Sequence, residues 1–263
     1  MAFRGKAAVV TGGASGIGAA IAAGLETDGA KVCVLDLPEA VAGGPGIACD
    51  VSDETALCRA IDSAEVRIGP LDIFVSNAGV LSDQRGGAAS ASNADWARCW
   101  SVNVMAHVYA ARRVVPAMIA RGGGHFVIVA SAAGLLNQIG DAAYSATKHA
   151  AVSFADSLAI SHRHEGLSVS VVCPQYVATL LIGLSEADAA ERDTLLTAQD
   201  VAEVTLAAMA DGRFLVLPHP DVARFAQARA LDHDGWIEGM IRLRNRAQDR
   251  FGDTRPDRFY RLL

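Results

Sequence analysis

Short runs of apolar residues alternate along this chain with longer stretches whose apolar positions recur at helical spacing. Residues 6–10 (Lys-Ala-Ala-Val-Val), 31–35, 46–50, 71–75, 125–130, 168–173 and 214–217 read as strands. The stretches 16–28, 53–68, 93–120, 142–164 and 199–211 read as helices. Strands this continuously apolar are buried on both faces, which requires a parallel sheet covered by helices on each side.

Right-handed crossovers then predict an α/β fold: a single Rossmann-like, doubly wound parallel sheet of about seven strands with helices on both faces. In such a sheet ligands bind outside the carboxyl ends of the strands, so functional residues are expected where strands stop. No Pro/Gly/Ser linker divides the chain; Gly43-Gly44-Pro45-Gly46 is a turn between elements. Residues 1–217 are therefore expected to form one domain, with 218–263 as its helical extension. That tail is rich in Arg and Asp and carries Phe225, Leu231, Trp236, Ile237, Met240 and Ile241 at roughly helical spacing. It predicts an amphipathic helix packed on the domain, with a subunit contact or an active-site cover as alternatives.

Composition narrows the class. With 51% hydrophobic and 20% charged residues the chain has the makeup of an ordinary packed globule. A net charge of −6 argues against a general nucleic-acid or anionic-membrane binder. No apolar run reaches the roughly 18 residues of a spanning helix, and the apolar stretch before Thr11 is too short for a secretory signal. Five cysteines (33, 49, 58, 99 and 173), odd in number and irregular in spacing, point to neither a zinc site nor a disulfide framework. A cytoplasmic location is expected.

The first strand ends in Thr11-Gly12-Gly13-Ala14-Ser15-Gly16-Ile17-Gly18. Glycines on a strand-to-helix turn permit positive φ and close approach of the backbone to a ligand. The helix that follows directs free N–H groups and its positive dipole end at the same spot, which suits a pyrophosphate. The spacing differs from Gly-x-Gly-x-x-Gly, and Ala19-Ala20 excludes a Walker loop. Asp36, 18 residues after Gly18, ends the second strand, where a carboxylate accepts from ribose hydroxyls and repels a 2′-phosphate. Leu37 follows, not a phosphate-pairing Arg, so NAD is favoured over NADP. Asp50-Val51 ends the third strand, where the carboxylate either meets an adenine amino group or caps the next helix.

The fifth strand ends at Ser131. Tyr144 comes thirteen residues later and Lys148 one helical turn beyond, so the last two share a helix face. With Asn77-Ala78-Gly79, Asn103 and the stretch Pro174 to Thr179, these motifs resemble the short-chain dehydrogenase/reductase superfamily over about residues 5–217.

That resemblance implies an NAD-dependent oxidoreductase of the alcohol dehydrogenase or carbonyl reductase type. It implies Tyr144 as general acid/base, Lys148 as the group that lowers the phenol pKa and holds the nicotinamide ribose, and Ser131 as the stabiliser of the substrate oxygen. Asn103 is implied to hold a water that links Lys148 to solvent. Gly12, Ser15, Gly16, Ile17, Gly18, Asp36, Asp50, Val51, Asn77, Ala78 and Gly79 are implied as cofactor contacts, together with Tyr144, Lys148, Pro174, Val177 and Thr179. Two departures stand out: Ser76 where the family more often has a second Asn, and Gln175 in place of a glycine beside the nicotinamide. Gln175 is expected to narrow the pocket or touch substrate. The family also implies self-assembly, commonly a homotetramer through the long helices.

Substrate-facing stretches are expected at 132–138, 180–184 and 80–81, where most residues are apolar and none is basic. An uncharged secondary alcohol or ketone is expected, since an anionic substrate usually needs an Arg or Lys clamp. His149, beside Lys148, is expected to face solvent or an interface. Competing readings are a sugar-nucleotide epimerase or dehydratase, for which the Ser131–Tyr144 gap is short, and an idle dinucleotide-binding regulator. The second alternative would be expected to have lost Ser131, Tyr144 or Lys148.

Overall fold

The computed structural model describes residues 1–82, 87–189 and 194–262. Leu263, the end of the expected tail, lies outside them. The chain runs through β1 (Ala7–Thr11), α1 (Gly16–Thr27), β2 (Lys31–Asp36), β3 (Ile47–Ala48), α2 (Glu54–Ile68), β4 (Ile73–Ser76) and α3 (Asn93–Trp100). It continues through α4 (Ala106–Ala120), β5 (Gly124–Val129), α5 (Ala133–Leu136), α6 (Ala142–His162) and β6 (Leu167–Val172). After these come β7 (Val177–Ala178), α7 (Glu186–Ala189), β8 (Leu196–Thr197), α8 (Ala198–Ala210) and β9 (Leu215–Val216). The tail folds as α9 (Asp221–Leu231), α10 (His233–Phe251) and α11 (Pro256–Phe259).

Seven strands form one sheet in the order β3-β2-β1-β4-β5-β6-β9, and all their pairings are parallel. The chain works outward from β1 to β3, then returns to lay β4 on the other side of β1. The direction of winding thus reverses between β1 and β4, and a crevice opens there at the carboxyl ends. Two apolar clusters fill the two faces, one around Phe74, Phe126, Leu57 and Met118, the other around Ile21, Leu25, Val10 and Val201. Both surfaces of the central strands are therefore buried, which accounts for their unbroken apolar sequence. No helix among the described residues is long and apolar enough to cross a membrane.

Three features differ from the sequence reading. The helix expected over 93–120 is broken into α3 and α4 by a π-helical turn at Ser101–Met105. Asn103, inside that turn, spends its amide on the backbone of Val80, accepting from N at 2.8 Å and donating to O at 2.9 Å. Such side-chain commitments accompany π-bulges at functional sites. Second, β7 and β8 pair as a separate two-stranded sheet; two residues each are too few to show a period. Third, the stretch carrying the expected apolar stripe is two helices, because Asp232 ends α9 and caps α10 by accepting from Gly235 N at 2.9 Å. The break re-aims the faces. Val222 and Ala247 are fully buried, whereas Leu231, Ile237 and Ile241, expected on the apolar stripe, are exposed.

Candidate active site

The turn after β1 is shaped by what glycine leaves out. Gly12 has φ +62°, and a Cβ there would lie 2.9 Å from Ala78 Cα. A Cβ on Gly18 would stand 2.2 Å from Gly12 O, so the second glycine seats α1 against the turn instead of lining the crevice. Ser15 is the N-cap of α1 and makes no side-chain cap bond, which leaves the amides of the first turn for a ligand. Around this turn opens a cleft of about 570 Å³, lined by Gly12, Ser15, Gly16 and Ile17, by Asp36, Asp50 and Val51, and by Asn77, Ala78 and Gly79.

Each acidic strand end is held in place. The Asp36 carboxylate accepts from Ala14 N at 2.9 Å and Leu37 N at 2.8 Å, so it stands fixed beside the glycine turn. Asp50 accepts from Ser52 N and Oγ, at 2.9 and 2.7 Å. It does not cap α2; that bond belongs to Asp53, which accepts from Ala56 N. Asn77 closes the winding reversal, donating through Nδ2 to Thr11 O at 2.9 Å and Gly12 O at 3.0 Å. A glycine cradle, free helix amides and a fixed carboxylate fit a dinucleotide.

The same cleft reaches Ser131, Tyr144 and Lys148, along with Pro174, Val177 and Thr179. Ser131 lies just beyond β5 and is buried; its Oγ accepts from Ala133 N at 3.0 Å and donates to Pro174 O at 3.5 Å. Tyr144 sits in the first turn of α6. Lys148, one turn on, places Nζ 5.6 Å from the centre of the Tyr144 ring and donates to Val129 O at 3.1 Å. Asn103 is fully buried and does not line the cleft. Besides Val80, its Nδ2 donates to Thr147 Oγ1 at 3.1 Å. The amide therefore braces the segment after β4 against α6.

Burial dominates the electrostatics of the site. Burial pushes the Tyr144 phenol up to about 12; the neighbouring Ser131 hydroxyl opposes this, and the Asp141 charge adds to it. Burial also brings Lys148 down to about 8. The expected fall of the phenol pKa relied on a charged Lys148 and a positive nicotinamide ring. Burial acts against that fall.

A second cavity of about 440 Å³ adjoins the first, and the two share Ser131 and Gln175. Ala132, Ala133, Leu136, Asn137 and Gln138 line it as expected. Val80 and Leu180–Ile182, expected to face substrate, line the first cleft, which also holds Ser131, Tyr144 and Lys148. The missing wall comes from the tail: Phe225, Trp236, Met240, Leu243 and Phe259, with Asp232 and Arg246. Sequence periodicity marked some of these as apolar but gave no sign of where the tail docks.

Other groups escaped the sequence reading. His219 holds the loop after β6 at two adjacent points, with Gln175 N donating to Nδ1 at 3.1 Å and Nε2 donating to Tyr176 O at 3.1 Å. Arg98 lines the dinucleotide cleft and donates to Leu81 O. His149, expected to face solvent or an interface, is half-buried: Nδ1 donates to Ser145 O, and Nε2 is buried without a partner.

Comparison with known proteins agrees with this architecture. The family model described as short chain dehydrogenase matches residues 6–189. A 1-deoxy-11-beta-hydroxypentalenate dehydrogenase of Streptomyces exfoliatus is 34% identical over 230 residues, covering 82% of this chain and 84% of the relative. Zerumbone synthase of Zingiber zerumbet is 32% identical over 69% of this chain and 72% of its own length. Among solved structures, a short chain dehydrogenase/reductase from Burkholderia phymatum in complex with NAD superposes with TM-score 0.78. It is 32% identical, over 89% of this chain and 96% of that one. A putative short-chain dehydrogenase from Novosphingobium aromaticivorans matches over 98% of this chain and 99% of its own, with TM-score 0.74 and 27% identity. With its glycine turn, its Ser131–Tyr144–Lys148 cluster and a family match that spans both, the chain belongs to the short-chain dehydrogenase family of oxidoreductases.

Proposed function

We propose that this enzyme interconverts an uncharged secondary alcohol and its ketone with NAD(H), using Tyr144 as general acid/base. Bound in the larger cleft, the nicotinamide supplies or accepts the hydride. In the reducing direction the Tyr144 hydroxyl gives its proton to the carbonyl oxygen, and in the oxidising direction the phenolate takes it back. Ser131 donates a hydrogen bond to the same oxygen and stabilises the charge that develops there. Lys148 holds the nicotinamide ribose and, when charged, favours the phenolate. Pro174, Val177 and Thr179 would frame the nicotinamide.

One observation carries this reading: Ser131, Tyr144 and Lys148 line one cleft, Lys148 stands one turn beyond Tyr144 on α6, and Ser131 belongs to both cavities. The fixed Asp36 carboxylate favours NAD over NADP, and the related structure with NAD bound is in keeping with that choice. The second cavity is walled mainly by aromatic and aliphatic side chains, and its Asp232 and Arg246 cancel in charge. That supports an apolar substrate body without net charge. A pentalenate dehydrogenase relative, by its name, acts on a hydroxylated compound. We also read the exposed Trp100 and Ile160, on α3 and α6, as candidate self-contacts of a homotetramer; light scattering tests this.

The test is NADH absorbance followed with a panel of secondary alcohols and ketones. Turnover is expected for wild type, and Tyr144→Phe should abolish it while dinucleotide binding stays within about twofold. Full activity in that variant overturns the assignment.

A further inference from the structure

We propose that Asp141 is a positioning residue of the reaction: its buried carboxylate ties the first turn of α6 to the segment after β4 and sets a fixed negative charge behind the acid/base phenol. The proposal rests on Tyr144 being that acid/base.

Asp141 is 6% exposed and Ser82, its main partner, is fully buried. One carboxylate oxygen accepts from Tyr144 N at 2.9 Å and from the Ser82 hydroxyl; the other accepts from Ser82 N at 2.8 Å. All three contacts are donors to Asp141, the pattern of an ionised carboxylate. Its backbone carbonyl accepts from Ser145 N and from Ser145 Oγ. The same Ser145 Oγ accepts from Gln138 N at 2.8 Å, and Gln138 lines the substrate cavity. One residue thus links the helix that carries Tyr144, a wall of the substrate cavity, and the Val80–Ser82 segment whose other end Asn103 braces.

Capping alone does not explain an aspartate here. Ser or Asn caps a helix as well, without placing a charge in the interior. A buried carboxylate with no cation paired to it among the described residues is costly to desolvate, which only full hydrogen bonding offsets. A charge retained on those terms acts on what lies beside it. The groups facing the phenol are Lys148 one turn along α6, Cys99 from α3, Cys173 after β6 and Tyr176 beyond it. Asp141 is the carboxylate among them, and its charge adds to the burial that keeps the phenol in the proton-donating form.

The experiment compares pH profiles of kcat/KM in the oxidising direction, which needs the phenolate. Asp141→Asn keeps the cap and removes the charge, so the rising limb should move to lower pH by about 0.5–1 unit. Ser82→Ala removes one bond and keeps the charge: kcat/KM should fall several-fold with the limb unmoved. If Asp141→Asn does not fold, Asp141→Ser retains a cap oxygen without charge and should show the same shift. Ultraviolet titration of each variant, minus its Tyr144→Phe counterpart, reads the same phenol without turnover. An unmoved limb in folded Asp141→Asn or Asp141→Ser overturns the proposal. Persistent turnover in Tyr144→Phe instead overturns the acid/base reading beneath it, so the two failures are distinguishable.

Discussion

Gln175 touches both cavities through a side chain that the family pattern lacks at this position. It stands at the boundary between dinucleotide and substrate, so its loss should enlarge the shared region. Gln175→Gly is expected to change the ratio of kcat/KM between small and bulky ketones by fivefold or more, on the order of 1 kcal/mol; an unchanged profile refutes the role. Asp36 invites a parallel test. Asp36→Ser removes the charge that would repel a 2′-phosphate, so the preference for NADH over NADPH should fall by at least tenfold, about 1.4 kcal/mol. Kinetics with both cofactors check it. At this scale the sequence was most informative where chemistry is local. Tyr144 and Lys148 are one turn apart, and Ser131 ends a strand that its apolar run announces. Asp141 and His219 stayed hidden because their partners lie 59 and 43–44 residues away, and no local pattern encodes such a contact.

Elements explain why some glycines matter more than their distance from the chemistry suggests. Gly18 lines no cavity, yet a methyl group there would meet Gly12 O at 2.2 Å. Gly18→Ala must push α1 away from the turn that presents its amides. A loss of roughly 1–3 kcal/mol in stability is expected, with NADH affinity, read by fluorescence titration, falling more than tenfold. The order of helices and strands was legible because the apolar runs of a buried parallel sheet are unbroken. The π turn was not, since it arises from a contact between Asn103 and a backbone 23 residues away. Nor were β7 and β8, which are too short to carry a period.

Across the whole molecule, burial leaves two histidines neutral at opposite ends of the sheet's interior. His107, bonded to Ser76, is held at about 3 and His125, bonded to Ser170, at about 4, both by desolvation. Unfolded, each would titrate near 6.5. A depressed folded pKa contributes stability above the unfolded value and loses it as pH falls through the folded one. The urea midpoint should therefore drop between about pH 6.5 and pH 4, and His125→Gln, which keeps a polar partner for Ser170 without titrating, should flatten that slope. The tail offers a different whole-molecule test. Trp236 lines the substrate cavity and not the dinucleotide cleft, so Trp236→Ala should raise KM for a bulky ketone about tenfold and leave the Kd for NADH within twofold.

The docking of α9 and α10 carries a consequence for how such an enzyme can diversify. Every described residue that lines the first cleft precedes position 183, while much of the far wall of the substrate cavity follows position 224. Much of the proposed substrate wall is thus written apart from the redox machinery. Exchanging the terminal forty residues for those of a relative would redirect the enzyme to new molecules without rebuilding its engine.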